Sequence, residues 1–186
     1  SLLSEDDERL KLYALEHLNR VVHEFWFQIS SAITAVEQLY EDDRFSHRKL
    51  AALVASKVYY HLGELRDALD YALGAEELFE IDDGSEYVQT LLSSALDLYF
   101  EQQAGDLRSD PRLVAVVERL LEKCCRDGEF EQAVGIALEA RRLDLFREMC
   151  GRTPNPRALL SYALGIGQRL ISSKAFRKEV LKLLVE

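Results

Sequence analysis

Four histidines, three cysteines and two acidic runs are the side chains whose types could ligate a metal or carry a proton. An imidazole can bind zinc or act as an acid or base near neutral pH. His17 and His23 are six residues apart, which places them on different faces of a helix, and His47 and His61 fall on other segments. The spacing therefore describes four separate histidines and no metal site. Cys124 and Cys125 are adjacent and Cys150 stands apart. Neighbouring cysteines rarely bridge and three cannot all pair, so no disulfide framework is expected and the compartment reads as reducing. Cys124-Cys125, at the end of a helical segment, reads as packing. The runs Glu5–Glu8 and Glu41–Asp43 lack the alternating ligands and the glycine of a calcium loop. Gly165 and Gly167 in GIGQRL lack the third glycine and the preceding strand of a dinucleotide loop. The chain contains no GxxxxGK[ST], HExxH, GxSxG or CxxC string. No catalytic, cofactor-binding or metal-binding residue is expected, and an enzyme would need a polar pocket that the sequence does not advertise.

The elements carrying these residues read as helices throughout. Leu10, Leu15 and Leu18 are spaced as one face of a helix over about residues 5–19, behind the Ser4–Asp7 start. Val22, Trp26, Ile29, Ile33, Val36 and Tyr40 continue as a second stripe over 21–40. Three consecutive aromatics, Phe25-Trp26-Phe27, cannot share one helix face. Either they pack between layers on several sides or the helix breaks near Ser30-Ser31; the break is the favoured expectation. Helices follow near 48–61, 66–79, 87–103, 112–126, 129–140, 143–150, 157–171 and 175–185. Their punctuation is Gly63, a turn at Asp83-Gly84, a start at Ser85, Gly105, an Asp110 cap with Pro111 at the first helical position, Gly128, and GRTPNP.

With 186 residues, 48% hydrophobic content, nine Gly and three Pro, the composition suits one folded all-α body of about ten helices. A formal charge of −10 disfavours nucleic acid and anionic membranes as partners. Residues 141–186 nevertheless hold ten basic and four acidic side chains, which leaves −16 on the first 140. That end is either a solvated basic face or a docking surface for something acidic. No apolar run approaches the ~18 residues of a spanning helix. SLLSEDDERL has neither a signal-peptide pattern nor an initiator Met, and reads as the start of a trimmed or processed piece of a longer chain.

One repetition organises the chain. In YYHLGELRDALDYALGA, Gly63, Ala68, Ala72 and Ala75 recur 65 positions later as Gly128, Ala133, Ala137 and Ala140 in CCRDGEFEQAVGIALEA. A glycine ending one helix and small residues lining the next describe a close helical hairpin of tetratricopeptide type, with Leu65 and Phe130 in the aromatic-or-leucine position. The match is partial: helix A lacks the full Trp-Leu-Gly-Tyr signature, and 65 is short of two units of about 34 residues. Degenerate repeats of an α-solenoid, each layer packing on the next, account for this better than a regular array.

Longer strings carry a family resemblance: LYEDDRF at 39–45, LAALVASKVYYHLGEL at 50–65, YALGAEELF at 71–79, SEYVQTLL at 85–92, DPRLVAVVERLLEKC at 110–124, GIALEARRLD at 135–144 and AFRKEVLKLLV at 175–185. Together they closely resemble the N-terminal region of the largest non-ATPase subunits of the 26S proteasome regulatory-particle base, the proteasome/cyclosome-repeat family. The resemblance implies a single N-terminal helical-repeat domain over 1–186, a rod of hairpins, with a ring of repeats following. It implies a non-catalytic scaffold that docks lid and base subunits for ubiquitin-dependent degradation, in cytoplasm and nucleus, with no cofactor and no small-molecule substrate. The isolated piece is expected to be monomeric. Two departures stand out: a short connection from Gln103 to Asp110, and Ala75-Glu76-Glu77 where the family commonly has a glycine after the alanine. The competing expectation is an independent tetratricopeptide-like adaptor holding short peptides in a groove.

Overall fold

Helix α1 shows how local chemistry sets the architecture. It starts at Asp7, whose carboxylate accepts the Arg9 amide at 2.9 Å, and runs over Glu8–Ser30. The computed structural model describes residues 2–105 and 108–170. Among them are nine α-helices and two short 3-10 turns, with no strand. The chain packs as two compact units, Ser1–Ala95 and Leu96–Glu186.

In the first unit, α1 passes unbroken through Asn19–Val21, where the sequence suggested a junction between two helices. Asn19 and Arg20 are polar but break nothing, and the buried face runs on from Leu15 to Val22 and Ile29. The expected break at Ser30-Ser31 does occur. Both serine hydroxyls donate back, to the Phe27 and Gln28 carbonyls, each at 2.7 Å, in competition with the helical ladder. Phe25 also leaves helical geometry (φ −118°, ψ 21°). Phe25 and Phe27 are not packed between layers: they are 48% and 71% exposed.

Helices α2 (Ile33–Glu41), α3 (Arg48–Leu62) and α4 (Leu65–Ala75) follow, and α1, α2 and α4 all pack on α3. The sequence of α3 allows this, because Ala51, Ala52, Ala55 and Ser56 have no exposed surface and permit close approach on several sides. Helix α4 ends at Ala75, short of the expected Phe79, and a 3-10 turn over Glu76–Leu78 leads to Phe79, which is fully buried. Asp83 then accepts the Ser85 amide, and α5 (Glu86–Ala104) begins.

In the second unit, α6 (Pro111–Asp127) starts from Asp110, which accepts the Arg112 amide at 2.8 Å, with Pro111 in the first turn, where its missing N–H costs nothing. Helices α7 (Phe130–Glu139), α8 (Leu143–Arg152) and α9 (Pro156–Leu170) complete the described part. Asn155 caps α9 by accepting the Ala158 amide. Helix α7 packs against α6, α8 and α9, and Leu113, Val117, Val134, Ala137, Phe146 and Met149 form the interior. The expected helix over 175–185 lies outside the described residues.

Candidate packing and docking sites

The repeated hairpin is built by the same backbone device twice. Gly63 (φ 83°) and Gly128 (φ 79°) sit in the left-handed region, where a side chain would be strained although there is room for one. At each, two amides satisfy the last carbonyls of the preceding helix. Gly63 and Glu64 donate to Tyr60 and Tyr59, and Gly128 and Glu129 donate to Cys125 and Cys124. The next helix starts at Leu65 in one case and Phe130 in the other, again 65 apart. Ala68, Ala72, Ala75, Ala133 and Ala137 have no exposed surface, and Ala140 has 1%. A position that sequence reasoning missed extends the echo. Glu76 (φ 51°) and Arg141 (φ 56°), also 65 apart, follow the last alanine and are the two non-glycine residues with positive φ among the described residues. The offset was the available signal; neither residue type announces such a backbone.

Around this shared frame the side chains differ. In the α3–α4 hairpin, Ser56 donates to the Ala68 carbonyl at 2.6 Å and its hydroxyl lies 2.7 Å from that of Tyr87, so the buried hydroxyl ties three helices. Glu37 accepts both the Tyr59 and Tyr71 hydroxyls, at 2.6 and 2.9 Å, and the two rings stack 5.4 Å apart. Both phenols are held protonated: Tyr59 is pushed up to about 12, chiefly by the Glu37 bond, and Tyr71 is raised, chiefly by burial and then by Glu37. Tyr40 leans on Tyr71 and leaves no room for a side chain at Gly74, where a Cβ would lie 2.8 Å from the Tyr40 Cζ. The α6–α7 hairpin is filled differently. Its Cys124 is buried, and Cys125 Sγ lies 3.3 Å from Met149 Sδ.

Chemistry-bearing residues are distributed as follows. His23 and His61, expected apart, come together: Nδ1 of one lies 3.1 Å from Nε2 of the other, because α1 packs on α3 and Trp26 stacks on His61. A separation of 38 positions hid that pairing from a spacing argument. Burial lowers both imidazoles below their ordinary range, and Lys57 lowers His23 further. Among the described residues no group of three or more His, Cys, Asp or Glu is placed to hold a metal ion. Burial raises all three thiols, Cys124 to about 11, which opposes the thiolate needed for nucleophilic chemistry. An open groove of ≈ 710 Å³ lies between the Gly128–Gln132 turn and the start of α9. Two of its polar groups are taken up locally, Thr153 Oγ1 by the Asn155 amide and Asn155 Oδ1 by the Ala158 amide. No described helix is long and apolar enough to cross a membrane.

What this geometry offers is packing surface and outward helix faces. The family model described as the 26S proteasome subunit RPN2, N-terminal domain, matches residues 1–186. The chain belongs to this family. Among its relatives, a 26S proteasome non-ATPase regulatory subunit 1 homolog B of Arabidopsis thaliana is 46% identical over the whole chain. A 26S proteasome non-ATPase regulatory subunit 1 of Drosophila melanogaster is 42% identical, also over the whole chain. A 26S proteasome regulatory subunit RPN2 of Saccharomyces cerevisiae is 36% identical over 98% of it. The chain spans only 19%, 19% and 21% of those proteins. The all-α class and the proteasome subunit family implied by the long strings both stand. Glu76, where the resemblance implied a glycine, has the positive φ that glycine tolerates.

Proposed function

We propose that this chain is a non-catalytic scaffold part of the 26S proteasome regulatory particle, docking neighbouring lid and base subunits for ubiquitin-dependent degradation. The observation that carries the reading is the family match over all of residues 1–186. The raised thiols and the locally engaged groove residues give it chemical support, since neither group is poised to attack a substrate. In this reading the chain forms a single N-terminal helical-repeat domain, a ring of repeats follows it, and the protein works in cytoplasm and nucleus without a cofactor. The alanines and glycines of the two hairpins hold helices together, and outward side chains meet the partners. The match along the full chain weighs against the independent peptide-binding adaptor. Affinity purification of the full-length protein from its source is the test. Recovery with regulatory-particle subunits supports the reading, and recovery without any proteasome subunit overturns it.

A further inference from the structure

The first unit carries a row of rings and a leucine whose ends, Phe27 and Leu62, are exposed and whose middle, Trp26 and His61, is half-buried. Phe27 is 71% exposed at the end of α1 and meets Trp26 edge to face, with ring centroids 5.8 Å apart. Trp26 in turn stacks on His61 of α3, centroids 5.9 Å apart and planes within 13°. Leu62, the next residue, is 43% exposed. The row thus crosses from α1 to α3. Its middle is fixed, because Trp26 packs against the buried cluster of Val22, Ile29 and Val58. Single exposed hydrophobic residues are ordinary on a soluble protein, but three rings in contact on a rigid base, with an exposed leucine next in sequence, have the composition of an interface centre. Burial keeps His23 and His61 below their ordinary range, so the row carries no charge near neutral pH.

The surroundings are acidic. Residues 1–95 hold nineteen Asp and Glu against eight Lys and Arg. Exposed Glu24 precedes the aromatics in α1, and exposed Glu64 follows Leu62 across the Gly63 turn. Asp83 is close enough to act on both His23 and Lys57. Among the cations, Arg20 is exposed one turn earlier, exposed Arg66 follows Glu64 by two residues, and Lys57 is engaged, its Nζ donating to Asn19 at 2.7 Å and feeling Asp83 and Glu80. An anionic membrane or a nucleic acid would meet repulsion here.

We propose that the Phe27–Trp26–His61–Leu62 row is the docking site for a basic amphipathic helix of a neighbouring protein. Its apolar residues, spaced i and i+3 or i+4, cover the rings and Leu62, while its Lys and Arg meet Glu24 and Glu64. This rests on the scaffold reading above and assigns it a surface and a partner chemistry.

The experiment uses the full-length protein in the assembled particle, with a photoreactive phenylalanine analogue replacing Phe27 or, as a control, replacing Asp67, which is exposed on α4. Cross-linked peptides are sequenced by mass spectrometry. The expected product joins position 27 to a segment of another subunit that has more Lys and Arg than Asp and Glu and that helical apolar spacing. Its yield should fall at least about tenfold in the Glu24→Lys/Glu64→Lys variant, since reversed charges oppose encounter. A cross-link to this chain itself, to a second copy or to an acidic segment overturns the proposal. So does a yield no higher than at position 67, or one insensitive to the charge reversal. Co-purification of proteasome subunits is read in the same preparation, so loss of the scaffold reading is distinguished from loss of this surface alone.

Discussion

The α3–α4 and α6–α7 hairpins share a backbone plan and differ in nearly everything that fills it. Both turn on a left-handed glycine, both bury three alanines at matching offsets, and both give the residue after the last alanine a positive φ. The first is then stitched by Glu37, Ser56 and four tyrosines, the second by aliphatic side chains, Cys124 and Met149. Charge differs as well, because residues 96–186 hold fifteen basic and fourteen acidic side chains, nearly balanced beside the acidic first unit. The lesson is that hairpin geometry is fixed by where the small residues stand. The larger ones are free to tune stability and surface.

That comparison breaks most readily at the alanines. Ala72→Leu and Ala137→Leu should each destabilise the chain by about 1 to 3 kcal/mol, since a longer side chain must force apart two packed helices. Unchanged thermal midpoints for both would contradict a shared close-packed plan. Helix-interior glycines should then separate the two hairpins by sign. Gly74→Ala meets the Tyr40 ring and should cost about 1 to 3 kcal/mol by overpacking. Gly135→Ala meets nothing within 4 Å in α7 and should stabilise by about 0.5 to 1 kcal/mol through helix propensity. Denaturant melts that gave both variants the same sign would remove the distinction.

The turn glycines should not separate the hairpins. Gly63→Ala and Gly128→Ala should each cost about 1 to 2 kcal/mol, from the positive φ alone, because no neighbour crowds either site. Relief of strain should give the smallest effect. Glu76→Gly frees a residue at φ 51°, ψ −116°, and although it removes one exposed partner of Lys49, Glu77 stays 2.8 Å from that ammonium. A gain of about 0.5 to 1 kcal/mol is expected, a strain relief partly offset by glycine's backbone entropy. A lower melting temperature would show that Glu76 is not strained.

Alkaline titration sharpens the chemical difference. Folding raises Tyr59 from 10.0 to about 12 and Cys124 from 9.0 to about 11, so the folded state favours the protonated form of each. The stability each contributes is complete below its unfolded value and is lost as pH climbs through the folded one. The Cys124 contribution should therefore start to fall about one pH unit earlier. In Glu37→Gln the tyrosinate absorbance should appear at lower pH, and an unshifted titration would dismiss the carboxylate as its cause.

Much of this was legible in the sequence because caps are local chemistry. Gly63, Gly128, Ser85 and Asp110-Pro111 mark helix ends by what their own backbones and side chains can do within a few residues. The misses required tertiary information or an unusual residue. Asn19-Arg20 looks like a junction but only the continuing buried face decides, and His23 meets His61 through packing between helices. Phe25 and Phe27 are residue types that normally predict burial, yet they stand 48% and 71% exposed, off the face that buries Val22 and Ile29. Glu76 and Arg141 hide a glycine-like backbone under long polar side chains.

In the proposed scaffold role, residues 1–186 dock neighbouring proteins of the regulatory particle. Its most direct test is the subunit composition of particles recovered on a tagged full-length protein with and without this region. The scaffold account predicts that deleting 1–186 depletes particular neighbouring subunits relative to the rest. Particles of unchanged composition and stability would contradict it.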